Sequence, residues 1–398
     1  MSPQQYNFDV IIAGAGPAGS SAAIHLARNG LRVLLVEQKR FPRAKLCGEF
    51  ISPECQRHFQ SLGVADAMVS AGPSAITETV FYSTRGHHVS VPSSWFGGPA
   101  ALGLSRAAMD NVLLRRAKEC GVSVLEGASI SEPIIDGSDV LGVKLKIDGK
   151  EQEWRAPLTI DATGRARILT RKLHLGEQRS KAKLIAFKAH LRNTRVACNA
   201  CEIYFYPEGY GGLSTIEGEI SNLCFIISAE QVKRYHSDPE TVMRELVMKN
   251  RRAAYTLAHA KAESEWLSAS WERFGPQLPN PARGLLAIGD AAAFIDPFTG
   301  SGMLMALESG ELAATVILRN REKLTSKESL ASLEKQYATE HARKFESRLR
   351  ISGVLRHAAF KPRLAGLGIA LCSISEQFRN RLARATRSST RNDLESPA

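Results

Sequence analysis

The stretch KLCGEFISPEC places a cysteine, a glycine and a glutamate side by side, and Cys47 and Glu49 are the members that could do chemistry. A thiol can donate a proton or lie against a redox cofactor, and its ordinary pKa of about 8.5 suits proton transfer. Free cysteines are also among the residues most often buried in protein cores. Cys47 therefore allows a chemical or a packing role, and we interpret Glu49 as a cap of the following turn.

A glycine-rich unit, FDVIIAGAGPAGSSAAIHLARNGLRVLLVEQ, precedes this stretch and reads as strand, turn, helix and strand. Gly14 permits a tight turn, Gly16 lets the backbone approach a pyrophosphate, and Gly19 lets helix and strand pack closely. The helix start offers free N–H groups and a positive dipole end to phosphates. Glu37 can accept hydrogen bonds from a ribose diol and disfavours a 2′-phosphate. The unit predicts a dinucleotide site without distinguishing FAD from NAD.

Two later stretches extend the pattern. LTIDATGRAR (158–167) predicts a strand that ends at Asp161, and GLLAIGDAAAFIDPFTGSGM (284–303) predicts a strand, the pair Gly289-Asp290, a loop and a helix start. Gly300 and Gly302 would allow the backbone to approach a ligand closely. The helix start would supply N–H donors and a positive dipole end to a negatively charged group.

These three motifs, in this order, resemble the flavoprotein superfamily that contains aromatic hydroxylases, flavin-dependent halogenases and geranylgeranyl reductases. The resemblance implies an extended FAD, with Asp290 bonding a ribityl hydroxyl and PFTGSGM running under the isoalloxazine. Arg106 matches the arginine that reaches the phosphate or ribityl region. The cofactor-binding residues expected from the motifs and the resemblance are Gly14, Ala15, Gly16, Pro17, Ala18, Gly19, Glu37, Gln38, Arg43, Cys47, Gly48, Arg106, Val124, Leu125, Asp161, Ala162, Gly289, Asp290, Pro297, Gly300, Ser301, Gly302 and Met303.

The segment KLCGEFISPEC resembles the one that geranylgeranyl reductase-type proteins carry beside the flavin. The resemblance places Cys47 in the flavin cavity and Arg43 or Lys45 near the cofactor's phosphates or carbonyl edge. EIYFYPEGYGG resembles the substrate-domain segment of those reductases, although the family favours Trp at or near the position of Tyr206. Cys47 and Tyr206 are thus the candidate catalytic residues, and the expected substrate contacts are Tyr204, Tyr206, Pro207 and Gly209. The aromatics could equally be ordinary sheet residues, because aromatics favour strands.

The expected activity is reduction of C=C bonds in an isoprenoid or lipid-like substrate, with a hydride from flavin N5 and a proton from Cys47, Tyr206 or water. No second dinucleotide fold is visible in the sequence, so NAD(P)H is expected to bind only transiently. The alternative is a monooxygenase or halogenase that acts through a C4a-hydroperoxide on an aromatic or polyketide-like substrate, because one fold hosts both reactions. The WxWxIP halogenase pattern and an obvious halogenase lysine are missing. A non-catalytic protein that binds FAD for stability is the third hypothesis.

The motif order predicts an α/β protein whose Rossmann-like FAD-binding domain holds an inserted antiparallel-sheet substrate domain and is followed by a C-terminal helical region. The expected FAD-binding parts are 1–75, 100–170 and 280–335. The substrate-domain parts are 76–99 and 171–279, and the basic helical region is 336–398.

Composition bounds the remaining possibilities. The 398 residues carry a net charge of +12, and residues 341–398 hold twelve Lys and Arg against four Asp and Glu. Such a tail could contact an anionic membrane or simply be solvated, and no recognition module for nucleic acid accompanies it. CNAC lacks the second cysteine pair of a zinc ribbon, so no metal site is expected. Without a secretion signal or a long apolar run, we expect a cytoplasmic protein, with membrane association through the tail as a hypothesis.

Overall fold

The computed structural model describes residues 7–173, 183–271, 274–325 and 327–387. Its strands are β1 (Val10–Ala13), β2 (Val33–Glu37), β3 (Phe50–Ile51), β4 (Ser74–Ile76), β5 (Glu78–Tyr82), β6 (His88–Pro92), β7 (Ala101–Gly103), β8 (Ser123–Glu126), β9 (Ser129–Asp136), β10 (Asp139–Ile147), β11 (Lys150–Arg155), β12 (Leu158–Asp161), β13 (Leu184–Arg192), β14 (Ala200–Tyr206), β15 (Gly209–Thr215), β16 (Ser221–Ser228), β17 (Lys261–Ala262), β18 (Leu267–Trp271), β19 (Gly275–Pro276), β20 (Leu285–Ala287) and β21 (Ala293–Phe294).

Helices alternate with strands in the first half of the chain and dominate its end. They are α1 (Pro17–Arg28), α2 (Cys55–Leu62), α3 (Ala65–Ser70), α4 (Arg106–Glu119), α5 (Ile168–Leu173), α6 (Ala229–Arg234), α7 (Pro239–Glu245), α8 (Arg251–Leu257), α9 (Gly302–Arg319), α10 (Lys327–Ala359), α11 (Pro362–Ile374) and α12 (Glu376–Ala385). Within these described helices, none combines the length and apolar character that a bilayer span requires.

A five-stranded parallel sheet in the order β20-β12-β1-β2-β8 forms the centre of the cofactor-binding part. Because side chains alternate across a strand, β1 faces two cores at once. Val10 and Ile12 pack toward α1, α4 and α9, while Ile11 and Ala13 pack toward the three-stranded β9–β11 meander. Burial on both faces explains why β1 and β2 are continuous apolar runs rather than alternating ones.

A second sheet, here called the roof sheet, has the order β17-β13-β16-β15-β14-β5-β6, with β18 also paired to β13. Its pairs are antiparallel except for β14 and β5, which run parallel. Strands from two separate stretches of the chain thus form one sheet. The central parallel sheet, the inserted roof sheet and the C-terminal helices confirm the predicted α/β architecture.

The C-terminal helices α10 to α12 pack against both parts of the molecule. Phe345 and Leu349 of α10 pack against Met305 of α9, whereas Ile369 and Cys372 of α11 pack against the roof sheet. Helix α10 begins at Lys327 and therefore runs through the domain boundary predicted at residue 336. A continuous helix carries no break at that point, so the change of composition there does not coincide with a change of structure.

Candidate active site

The turn between β1 and α1 is built for close backbone contacts. A Cβ atom on Gly14 would lie 2.4 Å from the carbonyl oxygen of Ala162, and φ at Gly14 is +106°. A Cβ on Gly19 would lie 1.9 Å from the carbonyl oxygen of Gly14. Only glycine satisfies both positions, because L residues rarely adopt that backbone and the space is already filled. The turn thereby brings β1, α1 and the end of β12 together.

The N-terminus of α1 is open to a ligand. Gly16 is its N-cap and offers no capping side chain, and Pro17 opens the first turn. The amide of Ala15 donates a 3.1 Å hydrogen bond to Oε2 of Glu37, which fixes the loop against the end of β2. Gly16, Pro17 and Glu37 line a cavity of about 480 Å³, called the cofactor cavity below. Uncapped helix N-termini attract anions such as phosphate.

Five cations line this cavity, and they are Lys39, Arg43, Lys45, Arg106 and Arg165. Arg43 and Arg106 already pair with a carboxylate. Arg106 donates 2.8 and 2.7 Å hydrogen bonds to Asp110, and Arg43 donates a 2.9 Å bond to the same carboxylate. Within the described residues, Lys45 and Arg165 form no ion pair with a carboxylate. Loss of solvation, together with the nearby cations Arg106, Arg43 and Arg165, lowers the pKa of Lys45. Unpaired positive charge of this kind suits a diphosphate.

Asp290 lies on the wall of the cofactor cavity at the start of the loop that leads to α9. Burial raises the pKa of its carboxyl group, against the opposing effect of Arg165, Arg106 and Lys45. Among the described residues, none hydrogen-bonds this carboxyl group. It is therefore available to the hydroxyl group of a ligand, and the contact with a ribityl hydroxyl that the resemblance implies stays a prediction. Pro297, Gly300, Gly302 and Met303 line the cavity beyond it.

The Cys47 segment forms another wall of the cofactor cavity. The amide of Glu49 donates to Cys47 Sγ at 3.4 Å, and Asn222 Nδ2 donates to the Cys47 carbonyl at 3.1 Å. Burial opposes ionisation of Glu49, but hydrogen bonds from His190 at 2.7 Å and Lys188 at 2.9 Å hold its pKa below the usual value. The thiol is thus held on a rigid turn facing the cavity. Glu49 anchors this turn to the roof sheet.

A second cavity of about 250 Å³ lies between the roof sheet and the C-terminal helices, and we call it the apolar cavity. Its walls include Phe81, Phe205, Ile226, Phe298 and Ile369. The two cavities share wall residues, which are Gly48, Phe50, Cys224, Pro297 and Gly300. A molecule in the apolar cavity would therefore meet a cofactor across the Cys47–Gly48 turn and the Pro297–Gly300 loop.

Sequence reasoning missed several residues of this site. Arg165 lies over the indole of Trp271 at 4.8 Å and over Phe294 at 5.5 Å, and all three line the cofactor cavity. Tyr210 lines the apolar cavity and donates a hydrogen bond to Asp296. The register of β13 and β16 pairs Lys188 with Cys224, which puts both on one face of the roof sheet. The alternation of side chains along β13 and β16 could have predicted the shared face of Lys188 and Cys224, but only if the pairing of these two strands had been known.

Most predicted cofactor residues line the cofactor cavity, and they are Gly14, Gly16, Pro17, Ala18, Glu37, Gln38, Arg43, Cys47, Gly48, Arg106, Ala162, Gly289, Asp290, Pro297, Gly300, Gly302 and Met303. Ala15 lies buried in the turn and Gly19 lies buried in the first turn of α1, and neither lines the cavity. Val124 and Leu125 instead pack into the cores on either side of the central sheet. Ala128, Ser129 and Ile130 take their place at the cavity.

Hydrogen bonding corrects one further cofactor prediction. Asp161 is fully buried and accepts from Thr163 Oγ1 at 2.6 Å and Thr170 Oγ1 at 3.0 Å, so its carboxylate braces α5 rather than a ligand. The Ser301 hydroxyl donates to Thr299 Oγ1 at 3.1 Å. The expected contact of Ser301 with the cofactor is through its backbone N–H group and stays a prediction.

The predicted substrate contacts are corrected as well, since Tyr204, Tyr206, Pro207 and Gly209 line neither cavity. Tyr206 donates a 3.0 Å hydrogen bond to the Ile226 carbonyl and packs with Tyr204 in the core on the other face of the roof sheet. Pro207 is exposed in the hairpin. Alternation along β14 directs Ile203 and Phe205 to the apolar cavity instead.

The cavity geometry fits FAD: an open helix N-terminus, unpaired cations and the free Asp290 carboxyl follow one another along its wall. A family model described as "FAD binding domain" matches residues 7–320. The chain belongs to this FAD-binding family. It is therefore a flavin-dependent oxidoreductase with FAD as its cofactor.

Curated relatives of this FAD-binding protein include a halogenating enzyme and lipid reductases. A 1H-pyrrole-2-carbonyl-[peptidyl-carrier protein] brominase of Pseudoalteromonas luteoviolacea is 28% identical over 323 residues, which cover 78% of this chain and 77% of the relative. A digeranylgeranylglycerophospholipid reductase of Haloferax volcanii is 27% identical over 384 residues, which cover 89% and 87%. The identities are similar, so they support a flavoenzyme and leave its reaction to the site.

Solved structures show the same division. A geranylgeranyl bacteriochlorophyll reductase-like protein of Thermoplasma acidophilum superposes with a TM-score of 0.78 at 21% identity, covering 95% of this chain and 96% of its own. A triple mutant of a flavin-dependent brominase also reaches 0.78 at 22% identity, covering 96% and 95%. These likenesses concern the fold, which extends over the C-terminal helices too.

Proposed function

We propose that this protein reduces C=C bonds of an isoprenoid or other lipid-like substrate, with NAD(P)H as a transient electron donor. The apolar cavity that adjoins the cofactor cavity carries the proposal. Its walls are aromatic and aliphatic side chains contributed by the roof sheet, the Pro297–Thr299 turn and α11. Burial of a hydrocarbon chain there is favourable at about 25 cal/mol per Å² of apolar surface.

Once reduced by NAD(P)H, bound FAD would supply the hydride for one carbon of the double bond, and the other carbon needs a proton. Cys47 and Tyr210 are the candidate donors, because one lines the cofactor cavity and the other the apolar cavity. The Tyr210 hydroxyl hydrogen-bonds Asp296, and burial together with this carboxylate raises the pKa of Tyr210. The neutral hydroxyl therefore persists at neutral pH and can give up a proton only as charge develops on the substrate.

A flavin-dependent monooxygenase or halogenase is the second candidate, and a buried lysine on the roof sheet is the observation that bears on it. Lys188 lies on the roof sheet beside Cys224, which lines both cavities. Its ammonium group is buried and bonds Glu49 at 2.9 Å. Used in this ion pair, Lys188 stabilises the Cys47 turn, and its charge is not free to act on a second substrate. The bonding thus favours the reductase.

An anaerobic experiment separates the two candidates. The FAD-loaded protein is reduced with dithionite, mixed with geranylgeranyl diphosphate, and followed through the visible absorbance of the oxidised flavin. Rapid reoxidation without oxygen, with a product that carries two more hydrogens, supports the reductase. Reoxidation that requires oxygen, with the prenyl chain unchanged, would overturn it in favour of the second candidate.

The predicted membrane contact through the basic tail remains part of the proposal, but two of its arginines turn inward. Arg379 lies 5.5 Å over Trp95, and Arg387 lies 4.5 Å over Phe96. Both line the apolar cavity. These two cations are therefore not available to a surface.

A further inference from the structure

Helix α11 is apolar on two opposite sides. Ala365, Ile369 and Cys372 are buried against the apolar cavity. The outer side carries an apolar stripe with helical spacing, and the exposed fractions are 58% for Leu367, 48% for Leu371 and 83% for Ile374. A helix of an ordinary globular surface is polar on its outer side. An apolar stripe of this length therefore indicates a surface that something else covers.

The neighbourhood of the outer stripe is cationic. The chain holds no Asp or Glu between Glu346 and Glu376. Lys361 and Arg363 are exposed at the start of α11, and Arg381 and Arg384 are exposed on α12. Phe378, 48% exposed, lies on the first turn of α12 and adds to the apolar area. The stripe thus has cations before and after it along the chain.

We propose that the outer stripe of α11 docks on the surface of an anionic lipid bilayer. Leu367, Leu371 and Ile374 would enter the boundary between headgroups and acyl chains, while the flanking cations contact anionic headgroups. Helices that lie in this boundary combine an apolar side with Lys and Arg, and each cation near an anionic surface strengthens the binding.

Docking through α11 would bring the apolar cavity close to the bilayer, and the benefit of this position rests on the proposed function. The inner side of the same helix forms part of the apolar cavity wall. A lipid-like substrate leaving the bilayer would therefore have to pass only one helix before reaching the cavity. A second copy of the chain, or an acidic protein, would gain no comparable benefit from this arrangement.

Sedimentation with vesicles tests the proposal on the full-length FAD-loaded protein, with no substrate present. Vesicles of phosphatidylcholine alone are compared with vesicles that contain an equal part of phosphatidylglycerol. The stripe variant is Leu367→Asp with Ile374→Asp, and its matched control is Val69→Asp, at a site 69% exposed on α3. The charge variant is Lys361→Glu with Arg363→Glu, matched by Lys150→Glu on an exposed hairpin. Bound flavin and melting temperature verify that each variant is folded.

We expect binding to the anionic vesicles, a fall of about tenfold or more in both double variants, and no change in the controls. Equal sedimentation of the stripe variant and the wild type would overturn the proposal. So would a wild-type dimer, detected by light scattering, that the stripe variant dissociates, or capture by an acidic carrier protein but not by vesicles. Because no turnover is read, loss of vesicle binding and failure of prenyl reduction are separate results.

Discussion

Lys188 and Glu49 lie 139 positions apart in the chain and form a hydrogen-bonded ion pair of 2.9 Å in which both side chains are buried. The pair joins the Cys47 turn to strand β13 of the roof sheet. His190, two residues along the same strand, bonds the second carboxylate oxygen of Glu49 at 2.7 Å. The turn beside the cofactor and the sheet over the substrate are thereby fixed to each other.

Removal of one partner of the Lys188–Glu49 pair should lower the stability of the protein. For Lys188→Met we expect unfolding free energy to fall by about 3 kcal/mol, since Glu49 is left buried with less compensation. Adding Glu49→Gln should restore part of that loss. Urea denaturation of the wild type, the single variant and the double variant measures these changes. The control is Lys144→Met, which removes a 3.6 Å ion pair at the surface, and its unfolding free energy should change by less than about 1 kcal/mol. Equal losses of unfolding free energy in Lys188→Met and Lys144→Met would contradict the prediction that the buried Lys188–Glu49 pair stabilises the fold.

Gly16 offers a test of the diphosphate site that spares the fold. A Cβ at this position would have Arg106 Nη2, at 3.8 Å, as its nearest neighbour, which is an ordinary contact distance. We expect Gly16→Ala to fold normally but to bind FAD about tenfold or more weakly, because the methyl group blocks the backbone approach to phosphate. Fluorescence titration of the apoprotein measures this, with Gly353→Ala as control. Unchanged FAD affinity would place the diphosphate elsewhere.

Two tyrosines of neighbouring strands should behave differently. Tyr210→Phe removes a hydroxyl from the apolar cavity, and we expect the anaerobic reoxidation by prenyl substrate to slow by about a hundredfold. Tyr206→Phe removes a hydroxyl that bonds a backbone carbonyl in the opposite core, so it should lower stability by about 1 kcal/mol and leave the rate intact. If Tyr206→Phe slowed the reaction and Tyr210→Phe did not, the geometric assignment would be wrong.

The cofactor should protect one thiol in particular. Cys47 lines the cofactor cavity, whereas Cys198 is exposed on the surface and Cys224 has a pKa raised by burial to about 12. Since the thiolate is the reactive form, we expect iodoacetamide to label Cys198 rapidly and Cys224 slowly in either state. Cys47 should react about tenfold faster in the apoprotein than in the FAD-loaded protein. Mass spectrometry of peptides measures the labelling rate of each cysteine. Equal labelling rates of Cys47 in the apoprotein and the FAD-loaded protein would show that Cys47 lies outside the cofactor site.

Acid should weaken the fold through His341, which is buried between Tyr337 and Phe345 on α10. Burial lowers its pKa from 6.5 to about 4. The unfolded state therefore binds the proton first, so the contribution to stability is complete above pH 6.5 and is lost as pH falls toward 4.

Between pH 7 and pH 5 we expect the wild type to lose about 2 kcal/mol more than His341→Gln does, measured by urea denaturation at both values. His357→Gln, at an exposed position of the same helix, should lose as much as the wild type. A His341→Gln variant with the wild-type pH dependence would show that another group causes the acid sensitivity.

The sequence by itself determined the parts whose chemistry is local. Gly14, Gly16 and Gly19 with Glu37 predicted the dinucleotide turn, because phosphate binding at a helix start depends on residues close together in the chain. Asp290 and the loop after it were singled out by the resemblance to flavoproteins, and both motifs line the cofactor cavity. The α/β class with an inserted sheet and terminal helices was likewise readable from the order of motifs.

Only the tertiary structure decided which side chains face the substrate. Tyr206 and Tyr210 look alike in the sequence, yet the pairing of β14, β15 and β16 turns one into a core and the other into the apolar cavity. In the same way, packing against Trp95 and Phe96 turned Arg379 and Arg387 inward and left Leu367 and Ile374 outside. Orientation across a sheet or a helix surface depends on long-range pairing, and no short stretch of sequence contains that information.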